Sequence, residues 1–221
     1  MIGCGRGSRS PSRAFLPNMS SDHLLRIMHR PFSIALFLAF SICAHAEGTP
    51  PADHGSHPVP TVNKAVDPKE DQFISLDPSN PKTVKVVIIA SYNAANYGMN
   101  FNGFAKGGAK YVIPLGWNVV VNFTNNSPVP HSAIVVERTT VKKIQMGDPY
   151  FKGASSPSPL RGTTGKAGVE FRFIAEEAGE YAIACGFPAH SANGHWIGFE
   201  VSATDEKPSL RFGAGAPFLA K

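Results

Sequence analysis

The sequence predicts an all-β fold, an antiparallel sandwich of short strands, on three observations. Apolar residues come in short runs rich in Val, Ile and Phe, with no helical heptads. Glycine (21) and proline (19) are frequent between those runs. Within several runs the apolar residues alternate, which is the period of a half-buried strand. With 221 residues, 43% of them apolar and 17% charged, the chain has enough apolar surface for one well-cored domain plus tails.

Residues 1–46 read as a leader. Met28-His29-Arg30 is a positive start, PFSIALFLAFSICA (31–44) is an apolar run, and Ala44-His45-Ala46 is a small-x-small cleavage site before Glu47. The run is shorter than the ~20 apolar residues that span a bilayer. The expectation is therefore export, with cleavage after Ala46, to the periplasm or the cell exterior. Residues 47–82 are rich in proline and charge and read as a linker. Asp53, His54 and His57 within it lack the rigidity and the fourth ligand of a metal site.

Strands are predicted from Thr83. TVKVVIIA (83–90) is a near-continuous β-branched run, and WNVVVNFT places Trp117, Val119, Val121 and Phe123 on one face. HSAIVVE follows a proline-bracketed turn. Residues 139–168 form a long Gly, Ser and Pro-rich excursion with little regular structure. VEFRF aligns Val169, Phe171 and Phe173; EYAIAC aligns Tyr181, Ile183 and Cys185; WIGFEV aligns Ile197, Phe199 and Val201. GEYAIAC also has the form of a tyrosine corner. The domain is expected over 83–202, with 203–221 as a loosely attached tail.

The leader carries Arg6, Arg9, Arg13, Arg26 and Arg30 against Asp22, so the remainder has 16 Lys plus Arg against 15 Asp plus Glu. The basic character of the whole chain thus belongs to the leader and gives no indication of a nucleic-acid partner. Cys4 and Cys43 lie in the leader as well. Cys185 is then the single thiol of the mature chain, which excludes an internal disulfide.

CGFPAHSANGHW (185–196) joins two predicted strands. Cys185 ends the first, His195 begins the second, and Pro188 stiffens the turn that leads to His190. A thiolate and an imidazole at that spacing can take two corners of one metal site. His131, which follows Pro130 at a strand start, is the remaining core histidine and supplies a third. Two imidazoles and one thiolate suit copper in both oxidation states. The competing reading, a Cys185 nucleophile activated by His131 or His190, finds no acid in the loop and no helix N-terminus behind the cysteine.

The stretches FNGFAKGGAKYVIPLGWNVVVNFTNNSPVPHSAIVVE and GEYAIACGFPAHSANGHWIGFEVS resemble the sulfocyanin family, blue-copper proteins of the cupredoxin superfamily. The likeness covers roughly residues 83–202. It implies a cupredoxin-like Greek-key β-sandwich with one mononuclear copper held equatorially by His131, Cys185 and His190. It also implies an electron carrier rather than an enzyme, exchanging electrons with a cytochrome or terminal oxidase of a respiratory chain.

The departure from the family pattern is His195, which stands where the family has its axial methionine. As a ligand, a histidine nitrogen is a stronger donor than a thioether; it favours Cu(II), lowers the potential and moves the colour from blue toward green or red. Such a site also admits an alternative role, binding a small molecule such as nitric oxide in the manner of red-copper proteins. Otherwise His195 only packs beside Trp196. Met99 and Met146 are the remaining methionines of the mature chain, and ordinary packing is expected of both. Copper storage would call for more exposed Met and His than His54 and His57. His190 is the expected electron exit, flanked by Phe187, Pro188 and Ala189.

Overall fold

The computed structural model describes residues 67–221 apart from Ala167. The expected leader, its cleavage site and the Asp53, His54 and His57 group lie outside the described residues. Ten strands form two sheets. They are β1 (Ile74–Leu76), β2 (Thr83–Ala90), β3 (Ala109–Pro114), β4 (Asn118–Asn125), β5 (Ile134–Glu137), β6 (Val169–Ile174), β7 (Gly179–Ala184), β8 (Trp196–Ser202), β9 (Ser209–Phe212) and β10 (Phe218–Leu219).

One sheet runs β1-β2-β4-β6 and the other β10-β9-β3-β8-β7-β5. From β2 to β7 every successive strand changes sheet, which makes a Greek-key β-sandwich. These crossings correct the purely antiparallel expectation: β2 pairs with β4, and β3 with β8, in parallel. β4 re-enters beside β2 after one excursion through β3 in the opposite sheet, whereas β8 reaches β3 as the second strand of the antiparallel β7–β8 pair.

The alternation predicts the core well. Val84, Val86 and Ile88 of β2, Val119, Val121 and Phe123 of β4, and Ile197, Phe199 and Val201 of β8 are buried between the sheets. Burying each such side chain contributes about 1.5–3 kcal/mol. A second cluster, Ile134, Val136, Val141, Met146, Ala182, Ala184 and Trp196, covers the outer face of β5, β7 and β8. Residues 141–166 form no strand of their own, as expected; Val141 and Met146 join that outer cluster, whereas Phe151 and Ala154 reach the core between the sheets. Met146 is therefore packing. Met99 is half-buried, and its N–H is bonded to the Asn96 carbonyl. The tyrosine corner is present, with the Tyr181 hydroxyl donating to the Glu177 carbonyl at 3.1 Å.

Two boundaries differ from expectation. The expected linker contributes Phe73 and Ile74 to the core and β1 to an edge, where Ile74 pairs with Val86. The expected tail is not loose: β9 pairs with β3, β10 with β9, and Leu210 is fully buried. Strands of two to four residues are too short to show a period. Leu210→Ala is expected to destabilise the fold by about 2–5 kcal/mol, read as a lower urea midpoint at unchanged slope; a cost below ~0.5 kcal/mol, the range of ordinary surface changes, would contradict a tail built into the core.

Candidate metal centre

Asn100 and Asn102 organise the segment between β2 and β3. The Asn102 side chain accepts from Ile89 N (2.7 Å) and donates to Val87 O (2.8 Å), tying the segment to β2. The Asn100 side chain accepts from the main chain of Tyr92 (3.1 Å) and Gly103 (3.2 Å) and donates to the carbonyls of Asn93 and Ala95 (2.8 Å each). Both side chains are buried with their polar atoms satisfied, so the backbone they brace is held in one conformation. Their effect is to present the Asn100 carbonyl inward.

Cys185 directly follows β7 and His195 directly precedes β8. Their main chains continue the β7–β8 ladder, with Cys185 N donating to His195 O at 2.9 Å. The intervening turn closes on itself: His195 N donates to His190 O (3.0 Å) and Gly194 N to Ser191 O (2.8 Å). Gly194 has φ 96°, and a Cβ there would lie 2.6 Å from Lys106, so the turn needs glycine. His131 precedes β5 and is bridged to Thr163 by two main-chain hydrogen bonds of 3.1 and 2.7 Å.

These placements bring all four sequence-predicted residues together. One ring nitrogen from each of His131, His190 and His195 and the sulfur of Cys185 lie within 4.8 Å of one another. The sulfur is 3.5 Å from His190 Nδ1 and 3.9 Å from His131 Nδ1. Donors at those separations can share one ion at bond lengths of about 2.0–2.3 Å. His131, Cys185 and His195 are buried, whereas His190 is half-buried. The Phe187 ring lies 4.7 Å from the His190 ring and packs on the core; Pro188 is exposed.

Two hydrogen bonds fix the tautomers. The Asn100 carbonyl can only accept, so the His195 Nε2 bonded to it at 3.1 Å carries the proton. Its Nδ1 is then a bare lone pair, buried and without a hydrogen-bond partner among the described residues. Ser91 Oγ donates to Gly98 O (2.8 Å) and so accepts from His131 Nε2 (3.0 Å), leaving His131 Nδ1 bare toward Cys185. Outer partners of this kind orient metal-binding imidazoles. Neither Ser91 nor Asn100 was legible as a site residue: one lies 40 positions from its histidine, and the other acts through a carbonyl that every residue has.

Burial sets the protonation states. It pushes His131 down to about 4, with the neighbouring His190 adding to the effect. It lowers His190, and it lowers His195 well below the usual histidine range, with His131 and His190 opposing a further charge. It pushes the Cys185 thiol up. At neutral pH the pocket therefore holds three neutral bases and a protonated thiol. A buried thiol of raised pKa is a poor nucleophile. The bare nitrogens of the three histidines and the thiolate of Cys185 would hold a cation, whose binding would release the thiol proton. A borderline-soft set of one sulfur and three nitrogens, without a carboxylate, fits a single copper ion.

These shifts predict acid sensitivity of the metal-free protein. Histidines titrate near 6.5 when unfolded and lower when folded, so their contribution to stability is full above ~6.5 and lost as pH falls through about 4. The urea midpoint of metal-free protein is expected to drop between pH 7 and 4; a flat profile would contradict the buried neutral triad. Ser91→Ala leaves His131 Nε2 unpartnered and is expected to weaken metal affinity about 10–100-fold, measured by competition with a chelator.

The model of the sulfocyanin (SoxE) domain matches residues 71–209, more than half of the chain. Sulfocyanin of Sulfolobus acidocaldarius is 29% identical over 125 residues, which cover 53% of this chain and 63% of the relative. Among solved structures, the copper protein rusticyanin aligns with TM-score 0.41 at 20% identity, over 59% of this chain and 89% of its own. Auracyanin A, a "blue" copper protein from Chloroflexus aurantiacus, aligns with TM-score 0.39 at 19% identity, over 54% and 99%. Within the matched segment lie both sheets of the sandwich except β9, of which it reaches only Ser209, and β10, together with all four residues of the His131, Cys185, His190 and His195 cluster, and the chain belongs to the sulfocyanin (SoxE) domain family.

Proposed function

We propose that this protein is an exported mononuclear copper protein that carries single electrons in a respiratory chain, with His131, Cys185, His190 and His195 as the four ligands. The observation that supports it most is the bare, buried Nδ1 of His195 beside the sulfur and two further imidazoles. Leaving such a nitrogen unpaired costs about 1–3 kcal/mol, which a bound cation recovers. Bound copper supplies one-electron exchange between Cu(II) and Cu(I). The chain's part is to hold the donors in one geometry, keep water off the buried face and leave the half-buried edge of His190 as the route to a partner. A cytochrome or terminal oxidase is the class of partner, and the leader sequence supports export to the periplasm or beyond.

The test is to load the full chain with Cu(II) and record visible and EPR spectra. A thiolate-to-copper charge-transfer band is expected. Loading without any such band overturns the proposal. Exposure of both redox forms to nitric oxide separates a carrier, whose spectrum stays unchanged, from a small-molecule binder.

A further inference from the structure

We propose that the end of the sandwich around residues 185–195 is a docking surface for a protein partner with an acidic face, gripped by a cationic collar around an apolar centre. The inference rests on the electron-carrier reading and specifies the chemistry of its partner.

Three separate segments flank the loop. The Ile144 carbonyl accepts from Ala189 N at 2.6 Å. Pro159 packs against Gly186, where an added Cβ would lie 2.9 Å from it, and Leu160 and Arg161 follow. The Asn96 side-chain amide donates to Asn193 O at 3.1 Å, which sets Tyr97 beside the loop. Each segment offers an exposed apolar side chain: Tyr97 is 96% exposed, Ile144 65% and Leu160 40%. Tyr97 is also held at φ 57°, a left-handed conformation that is uncommon for a bulky residue. Folding gains no burial from that ring. A site of contact accounts for it.

The charges around this centre are mostly positive, with Asp148 as the acid in the adjoining groove. Lys106, whose N–H is bonded to Gly194 O, Lys143 beside Ile144, and Arg161 beside Leu160 are exposed and make no ion pair among the described residues. From 138 to 166 the chain carries six Lys and Arg against Asp148 alone, while the part after the leader is close to neutral. Of that stretch, Lys143 and Arg161 adjoin the segments that flank the His190 loop, whereas Lys152 lies with Asp77 and Glu176 on another face.

A groove of about 650 Å³ between residues 145–149 and 155–161, lined by Met146, Leu160, Arg161 and Asp148, adds a recess for a partner's side chain. A flat lipid surface does not fill a recess, whereas a protein does. Complementary charge mainly raises the encounter rate, from ~10⁵–10⁶ toward ~10⁸–10⁹ M⁻¹s⁻¹ at low salt.

The experiment uses the copper-loaded full chain, wild type and Lys143→Glu/Arg161→Glu. Oxidation of the reduced protein is followed by stopped flow with hexacyanoferrate(III), an anion, and tris(phenanthroline)cobalt(III), a cation. The double reversal is expected to slow the anion roughly tenfold or more at low salt and to speed the cation. In a second arm, NMR of the reduced protein with polyglutamate is expected to shift amides around Lys106, Ile144 and Arg161, and those shifts should vanish in the variant. Equal rate changes for both probes, shifts elsewhere, binding to phosphatidylglycerol vesicles without binding to polyglutamate, or self-association through this face would overturn the docking surface. The two readings fail separately. Absence of the thiolate-to-copper band in the wild type removes the carrier; an intact band with charge-blind kinetics removes only the acidic partner.

Discussion

His195→Met is expected to shift the copper-loaded protein's absorption from a green or red toward a blue spectrum and to raise its reduction potential. The imidazole Nδ1 is a compact nitrogen donor held at the cluster by the Nε2 bond to Asn100 O. A thioether is a weaker, softer donor than an imidazole, and beside His131, Cys185 and His190 it would favour Cu(I). The replacement also removes one of two hydrogen bonds to the Asn100 carbonyl, which keeps its bond from Ser91 N (3.0 Å), a loss of about 0.5–1.5 kcal/mol. The stability of the metal-free variant should fall by that amount while its potential rises, so two opposite readouts separate ligation from packing. An unchanged spectrum would show that His195 only packs against Phe101, whose ring is 4.2 Å away.

Cys185→Ser is expected to abolish the thiolate-to-copper band outright and to weaken copper binding by more than the ~10–100-fold that loss of an outer partner costs. Cys185 is the single free cysteine among the described residues and is fully buried. The sulfur lies between the Nδ1 atoms of His190 and His131, and a serine hydroxyl there can donate to either nitrogen. The fold should therefore survive, with the unfolding midpoint of the metal-free variant changed little. Visible spectroscopy and a chelator competition on the same preparation check both halves. Retention of the band would mean that copper sits elsewhere.

Much of the site was legible in the sequence because it is built from local chemistry. Cys185 and His190 are set by one short turn with Pro188 inside it, and His195 is placed by the start of β8. His131 was reached from residue type alone, and the fold brings its Nδ1 within 3.9 Å of the sulfur. Its orientation was not legible, because Ser91 comes from the end of β2 in the opposite sheet. Acid release of a His195 ligand could be anticipated from residue type, but how far burial lowers each histidine could not, since that depends on how completely the surrounding chain removes water.

The sequence by itself pointed to the strand pattern, the tyrosine corner and the four candidate ligands, because side-chain period and turn chemistry act over a few residues. Only the tertiary structure decided the parallel pairings of β2 with β4 and β3 with β8, the inclusion of β1, β9 and β10, and the tautomers of His131 and His195. Those depend on backbone hydrogen bonds and shared burial between residues far apart in the chain. A main-chain carbonyl such as that of Asn100 carries no mark in the sequence until the fold has placed a buried imidazole against it.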